Sequence, residues 1–284
     1  MALPEDFDLD EFVRRTLAED LGMGGDVTSR ATIPSDARFV AQMNCREPIV
    51  VAGIDIAAGF FRATDTDVEI EFLLNDGDAA AAGAALMRLS GKARTMLTAE
   101  RSALNTIQHL SGIGSLTRRY VDAIAGTAAI LLDTRKTIPG LRLLEKYAAR
   151  MGGAHNHRMR LDDGVLIKDN HVAVCGGVAE AVSRARAAET GLQIQVEVDR
   201  LDQIEPALAA GAERLLLDNM PPPLLREAVE LVRGRVPLEA SGGVNLDTIR
   251  AIAETGVDFI SVGRITQSAP AVDIGLDYSC VNEI

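Results

Sequence analysis

Eight residues with chemistry to offer each follow a short apolar run: Arg135, Lys136, Lys168, Glu197, Asp218, Gly242, Gly243 and Gly263. The runs are Ala129-Ile130-Leu131-Leu132-Asp133 before Thr134-Arg135-Lys136, and Gly164-Val165-Leu166-Ile167 before Lys168. Ile194-Gln195-Val196 precedes Glu197, and Leu215-Leu216-Leu217 precedes Asp218. Leu238-Glu239-Ala240 leads into Ser241-Gly242-Gly243, and Phe259-Ile260-Ser261-Val262 into Gly263-Arg264. Cations, then acids, then bare glycine turns are what an anionic, phosphate-bearing substrate needs. Between Thr134 and His171 there are eight Lys/Arg against four Asp/Glu, although the whole chain carries −12.

Each residue type also has a plainer reading. Glu197 and Asp218 could hold sugar hydroxyls, bind Mg²⁺ or stabilise a cationic transition state, and Asp218 could equally be a helix N-cap before Asn219-Met220-Pro221. The two glycine turns, Ser241-Gly242-Gly243 and Val262-Gly263-Arg264, suit phosphate because backbone N–H groups can approach an anion closely there, or they are tight turns only. Arg142, Glu145 and Lys146 read equally well as ordinary exposed helix residues. Lys168 could be a Schiff-base lysine at a strand end. His155-Asn156-His157 has a metal-like spacing, but Arg158 follows it at once and a metal cage rarely tolerates a cation so near.

The elements that must position these residues follow from the same spacing. From Arg135 the tips are 33, 29, 21, 23 and 22 residues apart, room for one helix and its loops each time. Strands alternating with helices indicate a parallel sheet, and in an α/β barrel the strand C-termini converge on the face that carries the active site. A complete eight-stranded barrel takes roughly 250 residues. Residues 111–266 therefore predict an incomplete parallel α/β barrel of about six strands, the catalytic domain. Residues 1–110 predict an N-terminal α+β sandwich. It opens with a helix on Leu9, Phe12, Val13, Leu17 and Leu21, ended by Gly22. A short helix over Ile54–Phe61 and a strand over Val68-Glu69-Ile70-Glu71-Phe72 follow, with a turn at Asn75-Asp76-Gly77-Asp78. A long helix from about Thr98 to Ile124 leads into the barrel, and the tail 267–284 alternates at Val272, Ile274, Leu276 and Tyr278 as a strand returning to the N-terminal layer.

Composition narrows the function classes. At 284 residues and 47% hydrophobic the chain can bury a large core, and no apolar run approaches the ~18 residues of a membrane span. The start, Met1-Ala2-Leu3-Pro4-Glu5-Asp6, has neither the basic nor the apolar part of a signal peptide. Three scattered cysteines, Cys45, Cys175 and Cys280, fit a reducing compartment, so a cytoplasmic location is expected. The acidic balance argues against general nucleic-acid binding.

Asp133-Thr134-Arg135-Lys136-Thr137-Ile138-Pro139-Gly140-Leu141-Arg142, followed by Glu145-Lys146-Tyr147, closely resembles a signature of the quinolinate phosphoribosyltransferase family. The likeness continues through Asn156-His157-Arg158, Leu166-Ile167-Lys168-Asp169-Asn170-His171, Glu197-Val198-Asp199, Leu217-Asp218-Asn219 and Ala240-Ser241-Gly242-Gly243, with Ala99-Glu100-Arg101-Ser102-Ala103-Leu104-Asn105 near the N-terminal side. Two positions depart from the family pattern: Ala154 where a third glycine is usual, and Arg160 where glycine is common, which puts the shape of that loop in question. The resemblance implies a pentosyltransferase that joins quinolinate to phosphoribosyl pyrophosphate with Mg²⁺, giving nicotinate mononucleotide, pyrophosphate and carbon dioxide for NAD biosynthesis. It implies a homodimer with shared active sites, any higher assembly being left open. It assigns catalysis to Lys136, Lys168, Glu197 and Asp218, and substrate binding also to Thr134, Arg135, His157, Arg158, Ser241, Gly242, Gly243, Val262, Gly263 and Arg264. Arg101 joins them from the partner subunit, and Mg²⁺ is expected near Glu197 and Asp218. Three alternatives stand beside it: a molybdenum-associated paralogue of the family, which often lacks the lysine present here as Lys168, a barrel aldolase using Lys168, and a non-catalytic protein that binds phosphoribosyl pyrophosphate without turnover.

Overall fold

Residues 3–280 are described in a computed structural model of the chain. They form two compact units. Of the described residues, the first comprises 3–116, 143–152 and 269–280, the second Thr117–Arg142 and Gly153–Ser268.

The first unit opens with α1 (Leu9–Leu21), capped by Asp8, whose carboxylate accepts the Glu11 N–H at 2.9 Å, and stopped at Gly22. The next helix, α2 (Val27–Thr32), was not legible, because six residues are too few to show a 3.6-residue period. Then come β1 (Arg38–Cys45), β2 (Ile49–Val50), α3 (Ile54–Thr64), β3 (Glu69–Phe72), β4 (Ala79–Ala80) and β5 (Ala85–Lys92). The long helix α4 (Ala93–Ala123) starts five residues before the expected Thr98, because β5 ends at Lys92 and passes straight into it with no turn between.

The remaining elements are β6 (Ile130–Leu132), α5 (Arg142–Met151), β7 (Val165–Ile167), α6 (Asp169–Cys175), α7 (Val178–Ala187) and β8 (Ile194–Val198). They continue with α8 (Ile204–Ala210), β9 (Arg214–Asp218), α9 (Pro222–Val232), β10 (Leu238–Ser241), α10 (Ile249–Ala253), β11 (Phe259–Ser261), α11 (Arg264–Gln267) and β12 (Ile274–Cys280). In the first unit the sheet runs β12-β1-β5-β3, antiparallel throughout, so the tail does return to the N-terminal layer as β1's partner, Cys45 opposite Ile274. Close approach fixes this return: a side chain at Gly112 on α4 would place its Cβ 2.1 Å from the carbonyl oxygen of Pro270. Most of α5 also belongs to this unit. Leu144, Tyr147, Ala148, Ala149 and Met151 are buried, Tyr147 donates its hydroxyl to Asp76 at 2.6 Å, and Glu145 lies 2.9 Å from His109. Glu145 and Lys146 are fully buried, which replaces their reading as exposed helix decoration.

The second unit is the six-stranded parallel sheet, in the order β6-β11-β10-β9-β8-β7. Sequential neighbours pair from β7 to β11, and β11 then pairs back onto β6. The barrel is therefore incomplete in one place, between its first and second strands. Inward and outward positions alternate along each strand. One inward set is Leu166 on β7, Gln195 and Glu197 on β8, Arg214, Leu216 and Asp218 on β9, and Glu239 and Ser241 on β10; the register pairs Leu166 with Gln195, Glu197 with Leu216 and Asp218 with Ser241.

Candidate active site

The seam between β6 and β7 explains how a segment that is not a strand reaches the strand tips. His155 donates its N–H to Leu131 O at 2.9 Å and accepts the Asp133 N–H at 3.1 Å, so residues 155–158 lie along the open edge of β6. Asp133 is fully buried and anchors the segment: it accepts the His157 N–H at 2.8 Å and the side-chain amide of Asn156. His157 and Arg158 are thereby delivered to the C-terminal face. The H-x-H reading fails on the same geometry, since His155 points to solvent, and among the described residues no cluster of three or more His, Cys, Asp or Glu is placed to hold a metal ion.

At that face lies a cavity of about 950 Å³, within the usual range for small-molecule sites. Every barrel residue expected in the site lines it: Thr134, Arg135, Lys136, His157, Arg158, Lys168, Glu197, Asp218, Ser241, Gly242, Gly243, Val262, Gly263 and Arg264. Arg101 does not; it is exposed on α4 in the other unit. Asn245, Gln267, Asp169, Asn219 and Glu239 also line the cavity and had not been expected there. The first four lie in tips and short helices without a strand pattern. Glu239 could have been found by counting two residues back from Ser241 on an alternating strand.

The cationic side is under electrostatic pressure. Arg158 donates Nη1–H to Gly164 O at 2.8 Å. Burial, and then the charge of Arg135, push its guanidinium below the usual arginine range, with Asp163 opposing. The Nε of Arg135 is buried with no hydrogen-bond partner among the described residues. An orphaned guanidinium donor beside a second arginine is costly unless an anion completes it. Lys168 follows β7 with its Nζ 3.4 Å from Glu197 Oε2, its side chain half-exposed. That is not the apolar enclosure that activates a Schiff-base lysine.

The opposite side supplies carboxylates and bare backbone. Burial pushes the Asp218 carboxyl above its ordinary range, against the hydrogen bond from Asn219 and the charges of Lys168 and Lys136. Asn219 sits at φ 55°, in the left-handed region, and its N–H bonds Ser241 O at 2.8 Å. This N–H and side chain crowd Gly242, where a Cβ would come 2.2 Å from Asn219 Oδ1 at a φ of +91°. At Gly263 a Cβ would meet Lys136 Cδ at 2.7 Å, so a larger residue there would displace the Lys136 side chain. Thr266 Oγ1 donates to Lys136 O at 2.7 Å and pins that tip from α11. Ala154, buried beside Gly153, is accommodated in the chain entering the seam, and Arg160 pairs with Asp162 at 3.0 Å in an exposed loop outside the cavity. The two departures from the family pattern therefore leave the site's lining intact.

Two families match the chain: "Quinolinate phosphoribosyl transferase, C-terminal domain" over residues 113–277 and "Quinolinate phosphoribosyl transferase, N-terminal domain" over residues 26–111. A nicotinate-nucleotide pyrophosphorylase [carboxylating] of Mycobacterium leprae is 44% identical over 270 residues, covering 93% of this chain and 95% of that one. A probable nicotinate-nucleotide pyrophosphorylase [carboxylating] of Bacillus subtilis is 40% identical over 276 residues, covering 97% and 95%. Among solved structures, the nicotinate-nucleotide pyrophosphorylase of Francisella tularensis superposes with a TM-score of 0.93 at 41% identity over 98% of each chain.

Proposed function

The chain belongs to the quinolinate phosphoribosyl transferase family, and from that premise we propose that it transfers the phosphoribosyl group of phosphoribosyl pyrophosphate to quinolinate with loss of carbon dioxide, a step of NAD biosynthesis. The observation that carries the reading is the pairing of Arg135 and Arg158 at one wall of the cavity: the Nε of Arg135 has no hydrogen-bond partner among the described residues, and Arg158 is pushed down first by burial and then by its neighbour's charge. A dianion such as quinolinate supplies the acceptor that Arg135 Nε lacks and offsets the charge that the two guanidiniums bring together, through charge-assisted hydrogen bonds. Nicotinate, with one carboxylate, supplies half.

The remaining residues divide the work. Arg135, Arg158, Lys168 and His157 orient the acid with its ring nitrogen toward the ribose. That nitrogen is itself the nucleophile, so no base has to activate it. As it bonds to the anomeric carbon and pyrophosphate leaves, positive charge develops on the ribose, and Glu197 and Asp218 face that charge. The glycine turns at 242–243 and 263 offer backbone N–H groups to the 5′-phosphate. After transfer the carboxylate beside the nitrogen leaves as carbon dioxide; the electron pair of the broken bond stays on that ring carbon, stabilised by the adjacent pyridinium charge, and a proton then takes it up. Lys136 faces either the acid or the pyrophosphate.

Glu197 and Asp218 are oxygen donors suited to Mg²⁺, which keeps much of its shell from water and substrate phosphates. Bound there with the pyrophosphate, Mg²⁺ would offset leaving-group charge. Among the described residues no helix is long and apolar enough to cross a membrane, and a cytoplasmic location fits the composition. We place Arg101 in the neighbouring site of a homodimer, because it stands exposed on α4 while its own barrel cavity is lined without it. Lys168 favours this activity over the molybdenum-associated paralogue, and its partner Glu197 disfavours the aldolase.

The test is turnover with phosphoribosyl pyrophosphate, Mg²⁺ and each of quinolinate, nicotinate and orotate. Nicotinate mononucleotide and carbon dioxide in equal amounts from quinolinate are expected; preference for orotate, or no product from quinolinate, overturns the reading. For the shared site, Arg101→Ala and Lys168→Ala homodimers should be nearly inactive, and exchanging their subunits should restore about a quarter of wild-type sites in a symmetric dimer. Proven exchange with activity at background removes Arg101 from the site.

A further inference from the structure

Beneath the residues already assigned lies a second polar layer inside the barrel, at the inward positions one step further down the strands. Glu239 on β10 is fully buried. Its Oε2 accepts the side-chain amide of Gln195 on β8 at 2.8 Å and lies 2.7 Å from Nη2 of Arg214 on β9. The Arg214 contact has ion-pair distance without a hydrogen-bonding angle, and the guanidinium also stacks 4.0 Å over the ring of Phe259 on β11. Three strands thus hold one carboxylate in place. Burying such a group is expensive, and replacing it with an apolar side chain would often cost nothing. Its retention calls for a use.

The use is visible on its upper side. His157 Nε2 lies 3.4 Å from the same Oε2, while Oε1 is buried without a hydrogen-bond partner among the described residues, so the carboxylate has capacity to spare toward the cavity. On the other edge of the ring, Nδ1 accepts the Arg158 N–H at 2.7 Å. A nitrogen that accepts carries no proton, which leaves the ring hydrogen on Nε2, pointing at Glu239. We propose that Glu239, held by Gln195 and Arg214, is a positioning residue of the acid-binding wall: it fixes the ring orientation and the Nε2–H tautomer of His157, and through the Nδ1 contact the backbone from which Arg158 reaches the substrate. The proposal rests on the quinolinate reading for its kinetic consequence and on the geometry alone for the tautomer. Glu239's own ionisation is consistent with it. Burial pushes its carboxyl up, but the hydrogen bond from His157, the charge of Arg214 and the Gln195 amide pull it below the usual glutamate range.

Two variants and one spectrum test this. In the wild-type protein, ¹⁵N-resolved NMR of the His157 ring, assigned by its loss in His157→Asn, should show a protonated Nε2 and an unprotonated accepting Nδ1. Glu239→Leu combined with Arg214→Met removes the acceptor without stranding a buried cation. It should mix the tautomers and raise KM for quinolinate by about 10-fold, the scale on which outer partners of a held histidine act, while KM for phosphoribosyl pyrophosphate stays put. Glu239→Gln keeps an acceptor oxygen and should restore the tautomer and most of the KM. A wild-type ring protonated on Nδ1 overturns the proposal, whether or not the double variant folds. So does a folded double variant with an unchanged ring spectrum and unchanged KM for quinolinate. If wild-type protein does not use quinolinate, the functional reading falls, and the ring spectra still decide whether Glu239 holds His157.

Discussion

Arginine does different work in the two units of this chain. At the N-terminal sheet, Arg46 just past β1 meets Asp277 of β12 at 2.6 Å and Arg88 of β5 meets Glu71 of β3 at 3.2 Å, each pair half-exposed. Their charges are complete within the protein and shared with water. In the barrel, the Nε of Arg135 is buried without a hydrogen-bond partner among the described residues, and Arg158 is pushed down by burial and then by the charge of Arg135. The sheet pairs satisfy the folded chain alone, whereas Arg135 keeps a buried donor that an arriving anion can complete. The contrast is a physical criterion for telling a functional cation from a decorative one, and sequence position alone does not supply it.

Substitutions can break the contrast from either side. The largest effect is expected at Lys168→Ala: kcat/KM should fall by about 10² to 10³-fold, the cost of removing one well-placed electrostatic partner, with the melting temperature unchanged by calorimetry. Unfolding would instead make Lys168 structural. Glu197→Gln should lower kcat by roughly 10-fold or more with little change in KM, because its charge matters as the ribose becomes cationic; steady-state kinetics reading the reverse split would make it a ground-state ligand.

Asp218→Asn should show the barrel's tension as stability. The folded carboxyl is raised, so its protonated form is the comfortable one, and the stability it contributes below the unfolded value is lost as pH rises through the folded value. At neutral pH the variant should lose activity yet melt higher, by no more than about 2 °C; the gain should vanish below about pH 4, where the wild-type group is already neutral. A lower melting temperature at neutral pH would mean the ionised carboxylate is stabilising. The smallest effect belongs to the sheet: Arg88→Ala should change stability by less than about 1 kcal/mol in denaturant titration and leave turnover untouched, as exposed pairs do.

The legibility of the chain followed the same division. The six barrel strands could be read because each apolar run ends on a residue of a different kind, and the gap in the barrel followed from length. The strand tips, Arg135, Lys168, Glu197, Asp218 and the glycine turns, were legible with them, and all line one cavity. His157 and Arg158 lay outside any strand pattern; what carries them to the tips is Asp133 and the open edge of β6, a tertiary cause invisible to periodicity. Glu239 was hidden differently, inside a run read as apolar, although strand alternation put it on the cavity side. The burial of Glu145 and Lys146 could not be read at all, because charged residues on a helix normally face water and only the partner His109 and its surroundings reveal otherwise.

The most direct measurement is the ratio of kcat/KM for quinolinate to that for nicotinate, with saturating phosphoribosyl pyrophosphate and Mg²⁺. A wall built with an orphaned guanidinium should reject the acid that leaves it orphaned, and discrimination by unpaired buried polar groups reaches the order of 10⁴. A ratio of that size is expected for the wild type, shrinking when Arg135 or Arg158 is replaced by alanine. A ratio near unity would contradict the account, because Arg135 would then be complete without the second carboxylate.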